Sequence, residues 1–271
     1  MSTSEHWTTI TLITLALASI VPLALVPAGC GRDRARLALT GALAAMSFLP
    51  PPSVVAAAIV LPWLLVVIVT LRRMPTLPAL WGLAAGAWFL AHRADLDPLE
   101  VGRGITLLTV AHFLVAGCGL SALMLAVARR SEWRSRHLPV ALHQIGMLTV
   151  AAGILIGGWL EAIGAAMIIA ALLLHSIAAW LTPLQTRQWM LRTSALAWTS
   201  PMVLALLWAL RMHLPQPVVG SIATMLAHHG TVNAVAVVLA GLVALDHQHD
   251  TQFTGQHPWR EHRAHTAPTR I

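Results

Sequence analysis

The sequence predicts an all-α fold: a polytopic transmembrane helix bundle of about nine spans, N-terminus outside and C-terminus cytoplasmic. Three observations predict it. First, the chain is 57% hydrophobic and only 10% charged, where soluble domains carry about 25% charged residues. A core of this size cannot hide that much apolar surface, so lipid must cover the rest. Second, apolar runs of membrane-spanning length recur between breakers. Third, the basic residues are all arginines, and they sort to one side of the topology those runs define.

The spans are read at 7–29, 37–50, 53–71, 76–93, 101–128, 138–156, 158–181, 193–212 and 217–245. The first ends near Cys30 in a stretch resembling a lipoprotein cleavage site. Pro27 stands three residues before that cysteine and no basic residues precede the run, so the span is read as retained. The second is short and stops at Pro50-Pro51-Pro52, which suits a tilted or incomplete crossing. Gly157-Gly158 forms a tight link between the sixth and seventh. The fifth and ninth hold most of the polar exceptions. Residues 1–245 form one transmembrane domain. Residues 246–271 form a cytoplasmic tail with His247, His249, His257, His262 and His265 and no apolar period, expected to be disordered.

Charge orients the bundle. Arg32, Arg34, Arg36, Arg72, Arg73, Arg129, Arg130, Arg134, Arg136, Arg187, Arg192, Arg260, Arg263 and Arg270 fall on one side of the nine-span arrangement. Only Arg93, Arg103 and Arg211 fall on the other. The positive-inside rule makes the first side cytoplasmic and places the protein in the cell membrane as a multi-pass chain. No basic face with interleaved aromatics exists, which argues against a nucleic-acid partner. The expected partners are the lipid bilayer and a lipophilic small molecule. Cys30 and Cys118 give no disulfide framework.

The polar exceptions gather by depth once the topology is set. His112 lies nine residues past Arg103, about 13 Å deeper at 1.5 Å per residue. Glu161 begins the seventh span, Arg211 closes the eighth, and His228, His229 and Asn233 lie within the ninth. At 100° per residue, His229 and Asn233 share a helix face and His228 turns away. Ionisable groups at such depth are expensive and mark pathways or sites by default. Their convergence on one outward-open cavity would let them satisfy one another. Each has a plainer reading too. Arg103 and Arg211 can snorkel to headgroups, Glu161 can rest at the interface, and Asn233 beside Gly230 and Ala234 can be interhelical glue. His143 and His175 read as structural.

The chain holds no H-E-x-x-H, no EF-hand loop, no glycine-rich phosphate cradle and no G-x-S-x-G. Proton chemistry or binding is what the remaining residues support. A histidine near its natural pKa with a buried carboxylate makes an acid–base pair, and an arginine or asparagine can hold an oxyanion or carbonyl.

The run Arg103-Gly-Ile-Thr-Leu-Leu-Thr-Val-Ala-His112-Phe113 with Ala116-Gly117, and the run His229-Gly230-Thr-Val-Asn233-Ala234, resemble segments of the YndJ-like membrane proteins. Gly158-Trp-Leu-Glu161-Ala-Ile-Gly164 falls where the resemblance places a glutamate-bearing helix. The likeness covers about 101–245. Leu114 stands where the family pattern has a second histidine, and Cys118 where it has an aromatic. The resemblance implies a helical membrane fold and a shared site, and no particular activity.

The function expected is an integral-membrane enzyme performing cofactor-independent acid–base chemistry of an isomerisation, cyclisation or dehydration type on a lipophilic metabolite. His112, Glu161 and His229 are the candidate catalytic residues, and Arg103, Asn233, His228 and Arg211 the candidate substrate-binding residues. No metal site and no cofactor are expected. The alternatives are a transporter or lipid-binding protein, or a metal or haem protein drawing on the 14 histidines.

Overall fold

Each apolar run between Thr76 and Leu245 folds as a helix, because a backbone in lipid must satisfy its own hydrogen bonds. The structure is a computed structural model that describes residues 76–245 apart from 98, 184–186, 216–220, 222 and 223. The expected spans at 7–29, 37–50 and 53–71 and the tail 246–271 lie outside the described residues. Helix α1 is Thr76–Arg93. Helix α2 joins Arg103–His112, a π-helical stretch Phe113–Leu120, and Ser121–Arg130. Helices α3 and α4 are Leu138–Ile156 and Leu160–Leu181. Helix α5 is Gln188–Ala197 continued by Thr199–Ala209. Helix α6 carries two π-helical stretches, Met225–Gly230 and Asn233–Leu239, and runs on to Leu245. No strand occurs among the described residues. Helices α2 to α6 are each long and apolar enough to cross a membrane, so the protein is a helical membrane protein.

The helices meet through small residues and side-chain hydrogen bonds, as expected where lipid removes the hydrophobic drive between them. The tightest contact is the α3–α4 hairpin. Its turn is Gly157 at φ 83° and Gly158 at φ 71°, left-handed conformations that glycine adopts without penalty. A Cβ on Gly153 would run into the Glu161 backbone, one on Gly164 into Val150, and one on Gly146 into Ile168. These pairs set an antiparallel register, and the seam continues by helical spacing to His143 on α3 and His175 on α4. Along α4–α5, Ser176 donates to the Ala195 carbonyl and Trp198 Nε1 donates to Ser176 Oγ at 2.9 Å. Along α5–α6, Ser194 donates to the Val237 carbonyl at 2.6 Å. Gly241 of α6 lies against Leu123 of α2, so these two run side by side in the same direction.

Pro201 explains the break in α5. It has no N–H to give the carbonyl four residues back, and the helix is interrupted at Trp198. Helix α1 packs on α2 by laying the Trp81 ring over Gly117, where an added Cβ would approach it to 2.7 Å. Trp81 also meets Phe113 at 5.0 Å between ring centroids. The apolar core gathers Leu107, Val110, Leu114, Leu123, Met124, Leu172, Leu191 and Val237 from α2, α4, α5 and α6. Ile145, Leu148, Ile163, Leu173 and Ile177 of the hairpin point outward and are exposed, which suits lipid contact.

Candidate functional site

The candidate site forms where α6 crosses the broken middle of α5. His229 Nδ1 lies 2.8 Å from the Pro201 carbonyl oxygen. A carbonyl only accepts, so Nδ1 carries the proton and Nε2 of the neutral ring is left with a bare lone pair. Asn233, one turn on, brings its amide Nδ2 to 3.5 Å from that Nε2 and 3.4 Å from Nδ1. The first of these contacts is the complementary one, an N–H donor facing an unprotonated nitrogen. Adjacent His228 is exposed, and its Nε2 lies 3.2 Å from Oγ of Ser200, the residue next to Pro201. His229 and Asn233 share a face as expected, but His228 does not turn away from it as expected: in the π-helical stretch both histidines reach neighbouring residues of α5.

His112 closes the α-helical part of α2, immediately before the π-helical stretch that packs against Asn233–Leu239 of α6. It is half-buried, and it lies within electrostatic reach of His229 on one side and of His143 on the other. Thus His112 and both flanks of the His229–Asn233 pair stand at π-helical segments of two facing helices. Such segments add a residue to a turn, re-aim side chains and leave backbone carbonyls less tightly paired, and they concentrate at functional sites.

Glu161 and Arg211 belong to a separate cluster. Arg211 Nη1 donates to Glu161 Oε1 at 3.1 Å, to Oε2 at 3.2 Å and to the Trp208 carbonyl at 2.7 Å. The guanidinium also lies over the Trp208 ring at 4.5 Å. Beside them His213 stacks on Trp159 with centroids 3.8 Å apart, its Nε2 3.2 Å from the Gly158 carbonyl. Ten residues of α5 separate Pro201 from Arg211, roughly 15 Å along the axis. The structure therefore pairs Glu161 with Arg211 at one end of the bundle, away from His229. Arg103 opens α2, and its side chain lies outside the described residues.

Of the two histidines taken as structural in the sequence, His143 joins a buried polar network and His175 lies buried on the facing helix. Trp81 Nε1 donates to Gln144 Oε1 at 2.5 Å, and Gln144 Nε2 reaches Ser121 Oγ at 2.8 Å and His143 Nδ1 at 3.0 Å. His143 and His175 are fully buried, and each has an Nε2 with no hydrogen-bond partner among the described residues. Their spacing along the glycine seam, three residues before Gly146 and seven after Ile168, was the available signal. No group of three or more metal-ligating side chains occurs among the described residues.

The family described as YndJ-like protein matches the chain over residues 11–237. No curated protein and no solved structure matches it.

Proposed function

The chain belongs to the YndJ-like protein family, and from that premise we propose that it is a multi-pass enzyme of the plasma membrane that performs cofactor-independent acid–base chemistry on a lipophilic molecule. The observation that carries this reading is the His229 tautomer. With the proton fixed on Nδ1 by Pro201, the other ring nitrogen, beside Asn233, is a ready general base at neutral pH. Asn233 supplies an amide N–H beside it, suited to an oxygen on which negative charge develops. His112 is the second proton carrier. A proton taken from one carbon or hydroxyl by His229 and returned to another position gives an isomerisation, a cyclisation or a dehydration, with no electrons gained or lost. The Glu161–Arg211 pair enters this reading as a closure of one end of the bundle.

The same reading retains nine spans with the N-terminus outside and the C-terminus inside. Arg129, Arg130, Arg134, Arg136, Arg187 and Arg192 stand toward one end of the described helices, and Arg93, Arg103 and Arg211 toward the other.

The experiment needs no knowledge of the substrate. Purified protein in lipid nanodiscs is incubated in D2O with a lipid extract of its host, and the lipids are surveyed by mass spectrometry. Wild-type protein is expected to introduce deuterium into, or isomerise, a lipid species. His229→Gln is expected to slow this by roughly 10²–10⁴-fold, the usual worth of a general base. Equal deuterium uptake by wild type and variant would remove the enzymatic reading. A lipophile that crosses liposomes unchanged at a rate dependent on His229 would replace it with transport.

A further inference from the structure

The polar network around Gln144 fixes more than a packing contact. An indole N–H can only donate, so Gln144 must turn Oε1 toward Trp81. Its Nε2 is then a donor, and His143 Nδ1, 3.0 Å away, must accept. The hydrogen of neutral His143 therefore sits on Nε2. That N–H is buried and has no partner among the described residues. A second buried imidazole nitrogen, Nε2 of His175, faces the same difficulty on the opposing helix. Native proteins rarely leave such groups unmatched, and an internal water is the usual explanation.

The seam register brings the two rings to nearby levels. Gly153 opposes Glu161, Gly164 opposes Val150 and Gly146 opposes Ile168. Continuing that register, His143 opposes residue 171, and His175 lies one turn further along α4, about 6 Å at the helical rise. Both unmatched nitrogens therefore belong to one stretch of the seam, within a helical turn of each other. The two rings are also within electrostatic reach of each other, and His143 is within reach of His112.

We propose that His143 and His175 clasp one internal water, or an equally small hydroxylic molecule, in the seam between α3 and α4. The chemical class follows from the walls. The ligand must accept from the His143 N–H and also meet His175 Nε2, which a hydroxylic molecule can do in either tautomer of that ring, as donor or as acceptor. An anion would be buried without an opposite charge. A metal ion cannot bind a ring nitrogen that already holds hydrogen.

Nitrogen-15 histidine solid-state NMR on full-length protein in lipid vesicles tests the site. His143 is expected to show Nε2–H with a bare Nδ1, and magnetisation transferred from water is expected to reach Nε2 of His143 and of His175. His175→Phe is expected to remove the water transfer at His143. A His143 ring protonated on Nδ1, or transfer to its Nε2 from a protein side chain in place of water, would overturn the site. Transfer to neither ring would overturn it equally. None of these results touches His229, whose own test is lipid turnover, so the two readings fail separately.

Discussion

At the residue scale, the chemistry turns on which nitrogen holds a hydrogen, and in both cases a one-way partner decides it. The Pro201 carbonyl fixes His229 and the Trp81 indole fixes His143 through Gln144. Trp81→Phe keeps most of the ring area over Gly117 but removes the donor. It is expected to cost about 1–3 kcal/mol by leaving Gln144 Oε1 unmatched, read as a lower unfolding midpoint in detergent. It is also expected to give a mixed tautomer at His143, read by NMR. Arg211→Leu strips Glu161 of its cation. The pair is partly exposed, so the loss is about 2 kcal/mol rather than the larger figure of a buried pair, and Glu161→Gln in the same chain is expected to recover most of it. Both histidine and asparagine of the α6 pair were legible in the sequence, since a four-residue spacing fixes their shared face. The Pro201 carbonyl was not. A backbone acceptor has no side-chain signature, and it lies 28 residues away in the chain. The Glu161–Arg211 contact was half legible: their chemistry invited pairing, but only the α4–α5 register told that they pair with each other and not with the histidines.

At the element scale, hydropathy and breakers gave the helices, while their fine winding escaped them. The expected run 138–156 coincides with α3, and Gly157-Gly158 makes the expected turn. The π-helical stretches of α2 and α6 were invisible, because an added residue per turn is tolerated only where neighbouring helices support it, and periodicity over one turn cannot show that. Deleting Gly119 is expected to return α2 to ordinary winding and to re-aim the side chains of Phe113–Leu120 that face α6. The variant is expected to remain folded by size-exclusion chromatography and to lose His229-dependent lipid turnover. The α3–α4 seam makes the opposite prediction. Gly164→Leu places a Cβ against the Val150 backbone, which cannot rotate away. A loss of about 3 kcal/mol or more is expected, seen as aggregation or a collapsed yield of folded protein. Ser194→Ala, which deletes one interhelical hydrogen bond to the Val237 carbonyl, is expected to cost only about 0.6 kcal/mol. The contrast between these two variants measures how far close backbone approach outweighs polar glue.

At the scale of the whole molecule, membrane residence follows from composition, and the proposed sidedness rests on arginine placement. A cysteine introduced at Ser135, between α2 and α3, is expected to resist a membrane-impermeant maleimide in intact cells and to react after permeabilisation. One introduced at Gly157 is expected to react in intact cells. The reverse pattern would invert the orientation. Convergence of the polar residues on one outward-open cavity could not be read from the sequence. Depth along separate helices can be counted from the sequence, but the azimuth of each helix cannot. The described residues divide the expected constellation into the His229–Asn233 pair with His112 nearby and a distant Glu161–Arg211 pair.

The reach of Trp81 has a bearing on how the bundle tolerates change. The indole of α1 dictates, through Gln144 of α3, where the hydrogen of His143 sits. An alteration at that rim would therefore surface as altered reactivity deep inside, with the scaffold still standing. A survey that scores variants by expression level alone would pass over it.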